Sequence, residues 1–354
     1  MGQPTTDGIS EVIKLLHEKI IWTNLREEPV LYINTKPFVL RNYEKPYKNI
    51  EYTGIGTERI ESVENRLKAE ILAEVKKYNG SILLHLEAEN GIVPCWETID
   101  PEHSIFTIRE VYENFQQQGV CIDYARIPIT DEMSPEKQDF DALVERVKQT
   151  SSKNVKFVFN CQMGRGRTTT GMVVGCLLCT WLLWDQLFIP LKNDTPVNQF
   201  SEENVLLAGH YQIITELRRL LKTGQPTKQQ LDAVIDRCGV FQNLREAIYP
   251  LLLQYRAASE SKKKMIGKTF TNYLERYFYL FLFAGYVERE SGNFFSLSFA
   301  EWVDANEFEA IKSYFLPKFG ASFSLHTITP LIGFRKARRI CFGFQGCQKK
   351  YLEK

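Results

Sequence analysis

The first half of the chain alternates short β-type apolar segments with helical periodicities, a pattern typical of an α/β fold. Thr57 is predicted to cap a long helix that ends at Asn79 and Gly80, and Ser134 to cap a helix that begins at Pro135. The other predicted elements are helices at Ile9–Leu16 and Thr107–Gln118 and strands at Lys19–Leu25, Pro29–Asn34, Pro37–Arg41, Ile82–Leu86, Cys121–Ile129 and Val155–Phe159. This order predicts a central sheet flanked by helices.

The second half changes to helical patterns after a loop at Pro190–Pro196. Helical runs are predicted near 205–222, 229–237, 241–258 and 263–288. The pattern therefore predicts an α/β core over residues 1–190, a helical region packed on it over 197–315, and a weakly ordered tail over 316–354. The tail carries eight Lys or Arg residues against one acid, so that a peripheral contact with acidic membrane lipids is one candidate role for it.

Size and composition are those of an ordinary globular protein. The 354 residues are 44% hydrophobic and 25% charged, and the formal net charge is +1. This balance gives no global attraction to nucleic acid, and no nucleic-acid partner is predicted.

The segment after the strand Val155–Phe159 has the order of a phosphate-binding loop. The strand, whose composition suits a central position in a sheet, leads to Cys161, and a helix is predicted to open near Thr168. Gly164 and Gly166 allow positive φ, so that successive backbone N–H groups can turn towards an anion. The N-terminus of the helix adds its dipole at the same place. The sequence therefore predicts an anion cradle with a cysteine at its floor.

Cys161 and Arg167 supply the chemistry of this cradle. A nearby cation, a helix dipole and N–H donors all favour a thiolate over a thiol. Arg167 offers a planar fork for two phosphate oxygens. Thr168 can donate its hydroxyl to the sulfur and stabilise it as a leaving group. The implied reaction is hydrolysis of a phosphate monoester through a cysteinyl-phosphate, without a metal or another cofactor.

A cysteine cannot protonate the departing oxygen, so the chemistry requires a general acid on a nearby loop. Asp131 follows the predicted strand Cys121–Ile129, where a carboxylate can face the cradle. Its neighbour Glu132 is the competing candidate.

Five segments of the chain resemble the paladin family, which is related to the phytases and other inositol polyphosphatases of the protein tyrosine phosphatase superfamily. These segments are Asn24–Val30, Arg126–Ile129, Cys161–Thr168, Leu274–Leu280 and Ser296–Trp302. The resemblance runs from about residue 2 to about residue 315. It implies a phosphatase-like core followed by a helical region, and a chain that forms one repeat of a longer polypeptide.

The resemblance also implies roles for individual residues. Cys161 is then the nucleophile, Arg167 the phosphate-binding arginine and Asp131 the general acid, while Arg26 lies beside the substrate. The residues that line the cradle are Gln162, Met163, Gly164, Arg165, Gly166 and Thr168. Glu132 stands where the related enzymes often have histidine. Arg165 adds a second guanidinium to the loop, which favours a heavily phosphorylated substrate.

Three functions remain open at this point. The first is a phosphatase acting on phosphorylated inositols, either inositol polyphosphates or phosphoinositides. The second is a phosphatase for phosphotyrosine or phosphoserine in proteins, because the loop fits such substrates equally well. The third is a catalytically silent scaffold that binds phosphate in signalling. The cytosol is the expected compartment, since Cys161 must stay reduced and the first residues lack the apolar core of a secretory signal.

Overall fold

The structure is a computed structural model, in which we describe residues 1–42, 44–47, 50, 52–89, 91–149, 154–182 and 201–316. The chain divides into two compact units. The first contains Met1–Asp131 and Thr150–Thr168, and the second contains Glu132–Gln149 and the chain from Thr169 onwards. The predicted boundary near residue 190 and the basic tail beyond Leu316 lie outside the described residues, so the predicted domain limits stay a prediction.

The first unit combines strands and helices, as predicted. Its strands are β1 (Lys19–Arg26), β2 (Val30–Ile33), β3 (Lys36–Val39), β4 (Ser81–Ala88), β5 (Gly91–Thr98), β6 (Ile105–Thr107), β7 (Ile122–Ile129) and β8 (Val155–Asn160). Its helices are α1 (Thr6–Leu16), α2 (Thr57–Lys77) and α3 (Ile108–Gln117). The predicted mixed α/β class is confirmed.

A parallel sheet places the ends of three strands side by side. β1 lies between β7 and β8, and both neighbours run parallel to it. The prediction of a central position for Val155–Phe159 was wrong, because β8 pairs only with β1 among the described strands. Accordingly β1 is buried from Ile20 to Arg26, whereas β8 is fully buried only at Phe159 and Asn160. The carboxyl ends of the three strands lie at one edge, which is where ligands bind in parallel sheets.

Two antiparallel pairings complete the strands of the first unit. β2 pairs with β3 and with β6, and β4 pairs with β5. The sequence analysis missed β5, which contains Pro94 and begins at Gly91, two residue types that are depleted in strands.

Aromatic side chains fill the core of the first unit beneath the parallel sheet. Trp22, Tyr32, Tyr112 and Tyr124 are buried together, and the rings of Tyr112 and Tyr124 stack at a centroid distance of 4.2 Å. Trp22 Nε1 donates a hydrogen bond of 2.8 Å to Asn160 Oδ1. This bond ties the last residue of β8 to the centre of β1.

Two helix starts differ from the prediction. Gly56, not Thr57, is the N-cap of α2, because the Thr57 hydroxyl donates to the Arg126 carbonyl instead. The helix predicted from Pro135 is α4 (Lys137–Lys148), with Glu136 as its N-cap. The Ser134 hydroxyl donates to the carbonyl of Pro135 and so does not cap this helix.

The second unit is helical, as predicted for the C-terminal region. Besides α4 and the later part of α5 (Gly166–Leu182), it contains α6 (Glu202–Leu207), α7 (Gln212–Leu220), α8 (Gly224–Cys238), α9 (Leu244–Ala257), α10 (Glu260–Glu290), α11 (Phe299–Ala305) and α12 (Phe308–Phe315), with a short 3₁₀ turn at Ser291–Asn293. The helix predicted over 205–222 is two helices, broken at Gly209. A Cβ there would lie 2.6 Å from the Tyr277 hydroxyl, and φ is +73°.

The long helix α10 carries one buried cation among its aromatic residues. Arg276 is 2% exposed and donates from Nε and Nη2 to the carbonyl oxygen of Met133, at 3.1 and 2.8 Å. None of the helices in the described part of the chain is long and apolar enough to cross a bilayer.

A buried ion pair allows the stability of the first unit to be tested. Glu64 and Arg126 are 0% and 1% exposed, and their closest oxygen–nitrogen distance is 2.7 Å. Removing one partner of such a pair leaves an uncompensated buried charge, so Glu64→Gln is expected to lower the free energy of unfolding by about 3–5 kcal/mol. Urea denaturation measures this change. As a control, Glu11→Gln breaks an exposed pair with Lys14 and should leave the urea midpoint unchanged. An unaltered midpoint for Glu64→Gln would contradict the assignment.

Candidate active site

The cradle follows directly from the end of β8. Cys161 comes immediately after Asn160, and helix α5 begins five residues later at Gly166. Gly164 has φ of +74°, and a Cβ on it would lie 2.5 Å from the Gly2 nitrogen. Only glycine fits there. The prediction that Gly166 also uses positive φ was wrong, because this residue opens the right-handed helix.

The first residues of the chain lie against this loop. The Cys161 N–H donates to the Met1 carbonyl at 3.2 Å, and the Gln3 N–H donates to the Gln162 carbonyl at 2.9 Å. The Met1 amino group donates to the Phe159 carbonyl at 2.9 Å. Through these backbone hydrogen bonds the first residues of the chain pair with the end of β8 and the start of the loop.

Cys161 is buried, yet its environment favours the anion. The thiol is 3% exposed, and Thr168 Oγ1 lies 3.2 Å from its Sγ. Burial alone would raise the pKa of Cys161. The Thr168 hydroxyl, the Arg167 charge and the backbone N–H groups of Thr168 and Gly164 outweigh burial and hold the pKa below 9.0. A stabilised thiolate is the form that a nucleophile requires.

Thr168 can form a hydrogen bond with the Cys161 sulfur as a thiolate or as a thiol. Its Oγ1 also lies 3.1 Å from the Met1 carbonyl oxygen. A hydroxyl has a single hydrogen, so it can donate to only one of these two acceptors at a time. Beside a thiolate the hydrogen points to sulfur. Beside a thiol the S–H can donate to Oγ1 while the hydroxyl donates to Met1.

Arg167 is held by a carboxylate that the sequence analysis did not identify. Arg167 is 2% exposed, and its Nη1 and Nη2 donate to the two oxygens of Glu28 at 3.2 and 3.1 Å. Nη1 also donates to the Ile129 carbonyl at 3.3 Å. Burial acts to raise the pKa of Glu28, but Arg167 and Arg26 hold it below the usual value. Glu28 therefore binds the edge of the Arg167 guanidinium formed by Nη1 and Nη2. The Nε side of the guanidinium is available to a second anion.

Arg26 also forms an ion pair with Glu28. Its side chain is buried, and Nε donates to Glu28 Oε2 at 2.9 Å. A direct contact between Arg26 and a substrate stays a prediction.

Of the two candidate acids, Asp131 reaches the cradle's arginine. Asp131 Oδ1 lies 3.3 Å from Arg167 Nε, and its side chain is 41% exposed. Glu132 belongs to the second unit, is exposed, and has a left-handed φ of +58°. The geometry therefore favours Asp131, and the role of Glu132 stays a prediction.

The remaining loop residues lie on the surface of the cradle. Met163 is 66% exposed, Arg165 is exposed, and Gln162 is partly buried. Their predicted contacts with a substrate remain predictions. Among the described residues, no group of three or more His, Cys, Asp or Glu side chains is placed to bind a metal ion.

Glu27, which adjoins Glu28, was likewise not predicted from the sequence to be part of the site. Its Oε1 accepts the backbone N–H of Asp131 at 3.0 Å. The available signal was the Glu27-Glu28 pair directly after β1, because residues that follow parallel strands gather at one edge of the sheet.

Comparison with known proteins shows which families the chain is similar to. Residues 23–179 match the protein tyrosine phosphatase-like phytase family, whose description reads "Inositol hexakisphosphate". Paladin from Gallus gallus is 29% identical over 316 residues, which are 85% of this chain and 35% of the chicken protein. Paladin from Homo sapiens is 26% identical over 316 residues, 85% of this chain and 34% of that protein. The chain is similar to paladin over most of its length.

The predicted resemblance is thus confirmed, over a chain that spans about a third of the length of these relatives. The solved structures show the same fold. The protein tyrosine phosphatase-like myo-inositol phosphatase from Mitsuokella multacida, in complex with myo-inositol-(1,3,4,5)-tetrakisphosphate, gives a TM-score of 0.55 at 17% identity. The tandemly repeated phytase of this type from the same organism gives 0.56 at 16%. Each match covers 87% of this chain and 40% of the other.

The ionisation of Cys161 can be measured directly. Thiolate absorbance near 240 nm, taken as wild type minus Cys161→Ser, should rise with a midpoint below pH 9.0. Thr168→Val removes a hydrogen bond to a charged group, worth about 1.5–3 kcal/mol, and should raise the midpoint by about one to two pH units. Thr168→Ser keeps the hydroxyl and should leave it in place. A wild-type midpoint at or above pH 9.0 would contradict the stabilised thiolate.

Proposed function

We propose that this chain is a cysteine-dependent phosphatase that hydrolyses phosphate monoesters through a cysteinyl-phosphate. The observation that carries the proposal is the position of the buried Cys161 sulfur, which lies 3.2 Å from Thr168 Oγ1 between the end of β8 and the start of α5. The Thr168 hydroxyl and Arg167 lower the pKa of Cys161 despite the opposing effect of burial. A structural cysteine buried in hydrocarbon would have a raised pKa instead.

The first step transfers the phosphoryl group to sulfur. Cys161 Sγ attacks phosphorus, the bond from phosphorus to the ester oxygen breaks, and the carboxylic acid of Asp131 gives its proton to the departing oxygen. Arg167 binds the phosphoryl oxygens through the N–H groups that Glu28 does not occupy. The bound phosphate takes over the contact that Asp131 makes with Arg167 Nε.

The second step releases inorganic phosphate. Asp131, now a carboxylate, accepts a proton from water as the water oxygen attacks phosphorus, and the bond from sulfur to phosphorus breaks. The Thr168 hydroxyl stabilises the departing thiolate. The cradle N–H groups and Arg167 stabilise the charge in both steps, so the residues of this site suffice without a metal ion.

Phosphorylated inositols, as inositol polyphosphates or phosphoinositides, are the proposed substrates. The family description names inositol hexakisphosphate, and the structural neighbour was solved with an inositol tetrakisphosphate. The exposed Arg165 gives the loop a second guanidinium at the surface, which suits a substrate with several phosphate groups.

Release of phosphate from inositol hexakisphosphate and from a soluble phosphoinositide headgroup tests this function. Cys161→Ser should abolish release, because an alcohol is far less ionised than a thiol at neutral pH. Asp131→Asn should lower the turnover of these alkyl esters by about 10²- to 10⁴-fold. The exposed Cys121 provides a matched control, and Cys121→Ser should keep full activity.

The outcomes separate the candidate functions. Wild-type protein that releases phosphate from a phosphotyrosine peptide but from neither inositol substrate would overturn the substrate proposal. Protein that binds inositol phosphates and releases no phosphate from any monoester would overturn the enzymatic proposal.

A further inference from the structure

Two consecutive carboxylates follow β1, and each holds a different part of the proposed catalytic machinery. Glu28 binds the guanidinium of Arg167, and Glu27 accepts the backbone N–H of Asp131. We propose that Glu27 is a positioning residue for the general acid, which fixes the backbone at Asp131 so that the Asp131 carboxyl stays beside Arg167. This inference rests on the proposed phosphatase function.

Glu27 contacts two successive residues, Thr130 and Asp131, in the loop that carries the proposed general acid. Its Oε1 lies 3.0 Å from the Asp131 nitrogen, and the Thr130 side chain is hydrogen-bonded to the same carboxylate. Thr130 Oγ1 in turn accepts the N–H of Gly54 at 3.4 Å. The chain entering Asp131 is therefore held by hydrogen bonds through both a side chain and the backbone.

Burial makes Glu27 a rigid support. The residue is 1% exposed, so its rotamer is fixed by the surrounding side chains. The side chain of Asp131 itself is 41% exposed. A carboxyl on an exposed loop keeps a reactive geometry only when its backbone is fixed, and an error of about 1 Å costs about 10²-fold in rate.

One oxygen of Glu27 has an unusual environment. Oε2 is buried and has no hydrogen-bond partner among the described residues, although the Oε1 side is well bonded. Burial is the main cause that raises the pKa of Glu27, and the neighbouring Glu28 carboxylate adds to it, while the Asp131 N–H opposes it. Positioning needs only an acceptor at Oε1, which a carboxylate, a carboxylic acid and an amide all supply. Glutamine should therefore replace Glu27 functionally, whereas alanine should not.

A purely structural role makes a different prediction. β1 and β7 are parallel neighbours, and the bond from Asp131 to Glu27 continues just beyond their last paired residues, Arg26 and Ile129. If Glu27 only closed the end of this pairing, its loss would lower the amount of folded enzyme and reduce all activities equally. A positioning residue instead affects only the steps in which Asp131 acts, and kcat/KM isolates the first of these steps, the protonation of the leaving group.

The choice of leaving group separates these roles. Phenyl phosphate releases a basic phenolate that needs protonation, whereas p-nitrophenyl phosphate releases an anion that is stable without it. For Glu27→Ala we expect kcat/KM on phenyl phosphate, which reports the phosphoryl transfer to sulfur, to fall by about 10- to 100-fold. On p-nitrophenyl phosphate we expect kcat/KM to change by less than about threefold, because the nucleophile and Arg167 remain in place and this leaving group needs no proton. Glu27→Gln should restore phenyl phosphate turnover to within about threefold of wild type.

A double-mutant cycle tests whether Glu27 acts through Asp131. In an Asp131→Asn background the acid is already absent, so adding Glu27→Ala should cause no further loss on phenyl phosphate. The matched control is Glu61→Ala on α2, which removes a partly buried carboxylate paired with Arg109 at 2.6 Å. This control should change the turnover of both esters by the same factor. Thermal unfolding of each variant reports the folded fraction.

Three results would overturn the role of Glu27. These are an equal loss on both esters, a loss that adds fully to that of Asp131→Asn, and a failure of Glu27→Gln to restore turnover while it remains folded. These results differ from a failure of the proposed function. In that case wild-type protein would hydrolyse neither ester, or Cys161→Ser would retain the activity.

Discussion

The ion pair between Arg167 and Glu28 is the interaction on which the site depends. The positive charge of a buried guanidinium must be compensated by an anion before the group can bind a substrate. Arg167 is 2% exposed and both oxygens of Glu28 lie on it. Removing two charges from water is costly, and the cost is recovered only with near-ideal hydrogen-bond geometry. The bidentate contact provides that geometry and leaves the Nε side of Arg167 facing Asp131. The charge of Arg167 then helps to lower the pKa of Cys161.

The carboxyl ends of three parallel strands bring these groups together. β1 ends in Arg26 and leads to Glu27 and Glu28, β7 leads to Asp131, and β8 leads to Cys161. Nucleophile, acid and supporting carboxylates therefore come from segments distant in sequence but adjacent at one sheet edge. β1 is the middle strand of this sheet and is buried almost throughout, so the supporting carboxylates directly follow a buried strand.

The local features of the site could be predicted from the sequence because they depend on neighbouring residues. A strand, a cysteine, a glycine-containing turn and a helix appear in order between Val155 and Leu182, and the structure has them in that order. Asp131 could be predicted because the reaction needs an acid and the residue follows a strand. The predicted helix start near Thr168 was two residues late, because α5 begins at Gly166.

The supporting residues could not be predicted because they depend on long-range contacts. The position of Glu27 and Glu28 directly after β1 is the one local signal, and only the pairing of β1 with β7 and β8 brings them to Asp131 and Arg167. Two further differences depend on contacts distant in sequence. Among the described strands β8 pairs with β1 alone, and the helical pattern is broken at Gly209, which lies beside Tyr277.

The most direct test is to trap the phosphoenzyme. Wild-type protein and Cys161→Ser are mixed with p-nitrophenyl phosphate, quenched in acid within a turnover, digested and analysed by mass spectrometry. The geometry predicts one phosphoryl group on the wild-type peptide that contains Cys161, and none on the serine variant. Turnover by the wild type with Cys161 unmodified, or with the phosphoryl group on another residue, would contradict a nucleophilic sulfur at this position.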